Sequence, residues 1–198
     1  MPEQHQSRGD TRRVQIIGEA LRTFATNGYR DAALSEIAER CGLTVPGLLH
    51  YFPNKEALLA AVLDQYDQID LQRLTFLFDA SGPQALRWLV QLAEYYQRRP
   101  WLSRLFAVLT GEAVTANHPA HAWIVSRYRH LTIRLGQTLE KGKIDGAVRA
   151  DVDSAAVARQ ALAMMDCLQL QWLLDPESVD MPAAFGRYID TLIVAIAK

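Results

Sequence analysis

The sequence predicts an all-α fold of about nine helices, divided into a head over residues 8–54 and a longer helical body over residues 55–198. Three observations predict it. Apolar residues recur at steps of three and four along most of the chain, the spacing of one helix face. Short breaks rich in glycine and proline, such as "SGP" at 81–83 and "DPESVDMP" at 175–182, punctuate these runs. No stretch shows the period-two alternation of a strand, and no internal repeat or low-complexity tract is present.

The elements follow in order. Val14, Ile17, Leu21, Phe24 and Ala25 share one face of a helix over 11–27, with Asp10 as its expected cap and Gly28 at its C-terminal end. Leu34, Ile37, Ala38 and Cys41 define a short second helix that Gly42 ends. Thr44 is the expected N-cap of a third helix, and Pro46 falls in its first turn, where the missing proline N–H is no loss. Pro53 disfavours helical geometry at Phe52, so this helix stops near Tyr51. Asn54 is placed to cap a helix over 55–79. Helices over 84–98 and from Pro100 to about Val114 precede a loop, "TANHPAH". A long helix over about 120–141 leads to the turn-rich "GKIDGAVRADVD". Asp153 is the expected cap of a helix to about Leu174, and a last helix spans about 183–197.

Composition bounds the function. The 198 residues are 49% hydrophobic and 22% charged, enough to bury a substantial core, and the formal net charge is -1. No global basic field advertises nucleic acid, but phosphate contact depends on local patches. From Arg8 to Lys55 seven Arg or Lys stand against five Asp or Glu, a local net of +2. Arg8, Arg12 and Arg13 cluster where an N-terminal arm can reach a DNA backbone or minor groove. The two cysteines are far apart and in no metal spacing. The polar start "MPEQHQSRGD" does not read as a signal peptide, and no apolar run is long enough for a membrane span. A reducing, cytoplasmic setting is the expectation, with no membrane partner.

Two short helices joined by Gly42-Leu43-Thr44 make a helix-turn-helix, whose second helix can enter a major groove. Gly47 lets its backbone approach DNA closely, His50 and Tyr51 supply polar tips, and Leu48 and Phe52 can pack on the helix before. The segment "GYRDAALSEIAERCGLTVPGLLHYFPNKEALL", residues 28–59, resembles the DNA-binding segment of the TetR family of one-component transcriptional regulators. The likeness lies in Gly28-Tyr29, Ile37-Ala38, Gly42 with Thr44, Leu48, Tyr51-Phe52 and Lys55-Glu56. It implies a homodimer that binds a double-stranded, near-palindromic DNA operator. It also implies that Thr44, Val45, Pro46, Gly47 and His50 face base edges while Tyr51 and Lys55 hold phosphates. Two departures stand out. Ala32-Ala33 replaces the threonine pair common in the family, so Ala33 cannot cap the second helix with a side chain. Leu49 stands where an aromatic residue is frequent.

The body is rich in large apolar groups. Trp88, Tyr95, Trp123, Tyr128, Met165 and Trp172 are candidates to line a pocket for a small apolar effector, aromatic or lipid-like. The plainer alternative is that such stripes are core. The apolar stripes of the last two helices can pack inward or form a four-helix dimer interface. Asp166 and Gln169 need partners if buried. His118 and His121 read as a surface loop rather than metal ligands, and Glu112 as a solvent-facing carboxylate or a ligand anchor. No catalytic motif, metal site or cofactor is implied. The reading is a ligand-responsive repressor, not an enzyme. The alternatives are an all-α carrier or enzyme with a vestigial helix-turn-helix, and a ligand-free architectural DNA binder.

Overall fold

The structure, a computed structural model, describes the backbone of residues 8–198 and the side chains of residues 9–69 and 80–198. The first seven residues and the Arg8 side chain, part of the arm expected from sequence, lie outside the described residues. Among those described there are nine helices: α1 Arg8–Asp31, α2 Leu34–Arg40, α3 Val45–Tyr51, α4 Lys55–Asp79, α5 Pro83–Gln97, α6 Pro100–Glu112, α7 His121–Ile144, α8 Ser154–Leu174 and α9 Met181–Ile196. The only β pairing among them is an isolated bridge between Val148 and Ala197.

Local chemistry accounts for most of the helix ends. Thr44 caps α3, its hydroxyl accepting the Gly47 N–H at 3.2 Å. Phe52, before Pro53, is extended at φ -137 and ψ 107, which ends α3. Asn54 caps α4 through the Ala57 N–H at 2.7 Å, and Asp153 caps α8 through the Ala156 N–H at 3.0 Å. Ala33 stands at the α2 N-cap without a side-chain bond. Asp10 does not cap α1: the helix already begins at Arg8, and Asp10 sits in its first turn, where a negative charge suits the helix dipole. α9 starts at Met181, two residues before the sequence expectation, because Asp180 accepts the Ala183 N–H at 3.2 Å and Pro182 lies in the first turn. α7 likewise runs to Ile144, into the stretch expected to be turns.

Two compact units follow from the contacts. The first takes residues up to Gln68 together with Arg104–His121; the second takes Ile69–Ser103 and Ala122–Lys198. Helices α4 and α6 therefore each begin in one unit and end in the other. In the first unit Ile16, Phe24, Ile37, Leu48, Phe52, Leu58 and Leu105 are fully buried. In the second, α5 packs chiefly on α9, and α8 on both. Leu86, Leu89, Ala158, Ala161, Phe185 and Ile189 form that core.

The α5 start and the α7 end meet through glycine. A Cβ on Gly142 would fall 2.5 Å from the Gly82 Cα and 2.8 Å from Val148 Cγ2. Gly142→Ala should therefore overpack this crossing and lower the unfolding free energy by about 1–3 kcal/mol. A urea titration with an unchanged midpoint would show that the turn at 145–148 yields freely.

Candidate DNA-reading helix and ligand groove

In the first unit, α2 and α3 are joined by a tight turn. Gly42 takes φ +65, and the Leu43 N–H returns to the Ala38 carbonyl at 2.8 Å. Ile37, Ala38, Cys41, Leu48 and Phe52 are buried together against this turn. The amphipathic period of α3 then leaves Thr44, Pro46 and His50 exposed, with Val45, Gly47, Leu49 and Tyr51 half-buried. The His50 and Tyr51 rings meet edge to face at 5.6 Å, so each limits the other's rotamers.

The basic residues singled out from sequence are already engaged. Arg12 donates to the Cys41 carbonyl at 3.0 Å and to Gln15 at 2.8 Å. Arg13 donates to the Tyr51 carbonyl at 3.0 Å and lies 4.2 Å over the Phe52 ring. Both thus tie the start of α1 to the C-terminal ends of α2 and α3, and a guanidinium keeps further donors to offer. Lys55 Nζ donates to the Arg30 carbonyl at 3.1 Å and sits 4.8 Å from the Tyr29 ring centroid. Burial lowers its pKa, opposed by the charge of Glu112.

Two sequence expectations fail in this unit. His118 is not a surface residue: its side chain is 1% exposed. Glu112 does not face solvent as a free carboxylate: it accepts the backbone N–H groups of Tyr29 at 2.8 Å and Arg30 at 3.3 Å. The physical reason is common to both. Two consecutive amides beyond Gly28 need acceptors, and α6 ends beside them. A glutamate in the last turn of α6, where the helix dipole disfavours it, was the available signal.

In the second unit, residues of α7 and α8 together line a groove of about 910 Å³. Its lining includes Ile124, Val125, Ile133, Leu162 and Ala163, together with Arg129, Arg159 and Glu140. Tyr128 donates to Asp166 Oδ2 at 2.6 Å on its lining. Burial pushes the Asp166 carboxyl up to about 6, against the Tyr128 hydrogen bond and the charge of Arg127. Of the six aromatic and methionine candidates, Tyr128 lines this groove. Met165 lines a separate cavity of about 20 Å³ with Leu89, Leu92 and Tyr96. Trp88, Tyr95, Trp123 and Trp172 line neither. Trp172 is buried, Tyr95 lies under Arg99 at 4.0 Å, and Trp123 lies 5.4 Å from Arg127.

Two segments of the chain match known families. Residues 16–62 match the family of bacterial regulatory proteins of tetR type, and residues 86–194 match the C-terminal domain of BetI-type transcriptional repressors. The chain is 28% identical over 189 residues to a probable HTH-type transcriptional regulator of Pseudomonas putida, ArpR, covering 90% of this chain and 88% of that one. It is 39% identical over 95 residues to the HTH-type regulator RutR of Escherichia coli K12, covering 47% and 45%. FadR of Bacillus subtilis, solved with stearoyl-CoA, shares the fold with a TM-score of 0.77 at 19% identity, covering 92% and 98%.

Asp166 is held ionised at a cost to folding. Its folded pKa is raised above the unfolded value of about 3.9, so stability is complete below that value and declines as pH rises through about 6. Asp166→Asn should raise the unfolding free energy at pH 7 by up to roughly 2 kcal/mol. The gain should shrink toward nothing on lowering the pH to about 3, below the unfolded pKa of about 3.9, where the wild-type carboxyl is largely protonated in both states. Urea midpoints between about pH 3 and pH 7 read this directly; a gain equal at every pH would assign it to packing instead.

Proposed function

The chain belongs to the TetR family of bacterial regulatory proteins, and on that premise we propose a dimeric repressor that leaves a near-palindromic operator when a small, largely apolar molecule occupies its second unit. Membership makes it a ligand-responsive, DNA-binding transcriptional regulator. The observation that carries the finer reading is the surface of α3: capped by Thr44, closed at Pro53 and anchored by buried Leu48, it leaves Thr44, Pro46 and His50 exposed. Thr44, Val45, Pro46, Gly47 and His50 face base edges in this reading. Tyr51, Arg12 and Arg13 hold the phosphate backbone.

His50→Ala should alter base preference, with about 1–3 kcal/mol lost at one position if the ring makes a good specific contact. The measurement is anisotropy with DNA selected by the wild-type protein from a random pool, compared across single-base variants. An unchanged preference would remove His50 from the reading surface.

The effector fits the α7–α8 groove. Its aliphatic walls suit an apolar body, and the Tyr128–Asp166 pair suits a hydrogen-bond donor or cationic nitrogen at one end of the molecule. A ligand that releases DNA must bind the operator-bound dimer more weakly than the free one, by the reciprocal factor.

Dimerisation is supported by a second, largely apolar stripe on α8. Ala156, Gln160, Ala163, Cys167, Leu170 and Leu174 recur at steps of four and three on its outward side. Leu170 is 50% exposed and Leu174 78%, and Val194 on α9 is also 78% exposed. These residues serve a twofold four-helix interface. Light scattering should give a dimer for the wild type at micromolar concentration, and Leu170→Glu with Val194→Glu should give monomers that bind operator weakly. A wild-type monomer would overturn the assembly.

A further inference from the structure

For a helix that enters a major groove, α3 carries few hydrogen-bonding side chains. Its 7 residues, Val45–Tyr51, include no Arg, Lys, Asn or Gln. Those are the side chains that pair bidentately with guanine or adenine. With Leu48 fully buried, the helical period turns Pro46 and His50 outward, and both are exposed. Val45 and Leu49, one turn apart and half-buried, flank them on one side; Gly47 and Tyr51 flank them on the other. Val45 and Pro46 lie four and three residues before Leu49, so the three form one continuous apolar patch on the outward face.

Polar groups nearby do not make up the deficit. Thr44 gives its hydroxyl oxygen to the Gly47 N–H at 3.2 Å. Asn54, the next carboxamide in sequence, gives Oδ1 to the Ala57 N–H at 2.7 Å, so turning to an adenine would uncap α4. Arg12 and Arg13 donate to the Cys41 and Tyr51 carbonyls, and Arg40 pairs with Glu36 at 2.7 Å. His50 remains, its ring set edge to face against Tyr51.

The major groove offers such a patch one feature to recognise, the C5 methyl group of thymine. We propose that Pro46 and Leu49, with Val45 beside them, are specificity-determining residues that read thymine methyl groups in the operator half-site. His50 then supplies the hydrogen-bonded contact of the same face. The proposal rests on the reading of α3 as the helix that meets base edges. It adds Leu49 to that surface and gives Val45 and Pro46 a chemical target. Burying one methyl group is worth about fourfold in affinity. A methyl carries no charge, so this discrimination should not change with salt, unlike phosphate contact.

The test uses the full-length protein and DNA that it selects from a random pool. Each thymine of one half-site is replaced in turn by uracil, which removes the methyl and keeps every hydrogen-bonding group. Anisotropy titrations give the ratio of the thymine and uracil affinities within each variant, so a lower folded fraction cancels. The wild type should lose about fourfold at one or more thymines, by the same factor at low and high salt. At such a thymine, Leu49→Ala or Pro46→Ala should bind the two DNAs equally. A variant that only loosens α3 weakens both DNAs and leaves the ratio as it was.

Uracil tolerated at every position overturns the proposal. So does a loss that persists undiminished in both variants, which would assign the methyl effect to DNA shape. Should Leu49→Ala not fold, Pro46→Ala decides: equal binding of the two DNAs supports the proposal, and a retained loss defeats it. Failure to select any DNA sequence sinks the operator-binding reading itself.

Discussion

One carboxylate closes the first unit. Glu112 lies 83 residues from Tyr29 in sequence, yet it accepts the N–H groups of Tyr29 and Arg30. A buried N–H left unpaired costs about 1–3 kcal/mol. Removing Glu112 would therefore impose such a cost at the part-buried Tyr29 amide, whereas water can reach the exposed Arg30 amide. It would also strand His118, whose Nε2 has Glu112 Oε2 as its nearby acceptor. The stacking of Tyr66 on Phe106 adds apolar support from α4 and α6, but it has no directionality comparable to the hydrogen bonds. The position of α1 relative to the end of α6 is thus fixed by polar geometry, and the helix-turn-helix inherits its orientation from α1 through Arg12 and Arg13.

How much of this was legible in the sequence depended on how far each partner stood along the chain. Thr44, Pro46, Pro53 and Asn54 act on residues within a few positions, so the limits of α3 and the start of α4 could be read directly. Leu48, Phe52 and Cys41 were legible as the buried side because a seven-residue helix has one inward stripe. The Glu112 clamp showed in the sequence only as a glutamate misplaced in the last turn of α6, since its partners are backbone amides that no residue code reveals. His118 misled for a related reason. A histidine in a Pro-containing polar loop reads as exposed, and only the aromatic Tyr29 beside it makes burial favourable.

In the second unit the difficulty was of another kind. Apolar periodicity specifies that a helix face is covered but not by what. The rings of Trp172 and Trp123 went to core and to a cationic neighbour, while the groove is walled by Ile124, Val125, Ile133 and Leu162. Its aliphatic residues alternate with Arg129, Gln137 and Glu140 along α7, so the face looks like an ordinary solvated helix in sequence. The contact-based division within α4 and α6 was equally hidden, because a long helix carries no punctuation where it leaves one unit for the next. The 54/55 division follows where the helix-turn-helix motif ends, and that is a statement about motif rather than packing.

The two units use polar groups in opposite ways. Glu112, Lys55 and Arg30 each meet a partner at the Tyr29 bend, just beyond Gly28, and that makes the segment firm. Asp166, by contrast, is held beside an apolar groove with its pKa pushed up to about 6. The resulting penalty at neutral pH is of order 1–3 kcal/mol, the same size as a typical coupling free energy between sites. A ligand group that donates to Asp166 recovers part of that penalty, provided α7 and α8 hold the groove open around it. Binding energy then depends on the arrangement of these helices and is not uniform across arrangements. Only such a dependence lets occupancy shift a conformational equilibrium, because a ligand bound equally well to both arrangements shifts nothing. A strained acid in the groove and a bend held by Glu112 and Lys55 under the proposed reading helix are therefore complementary. The first makes ligand binding sensitive to helix placement, and the second makes helix placement consequential for the surface that meets DNA.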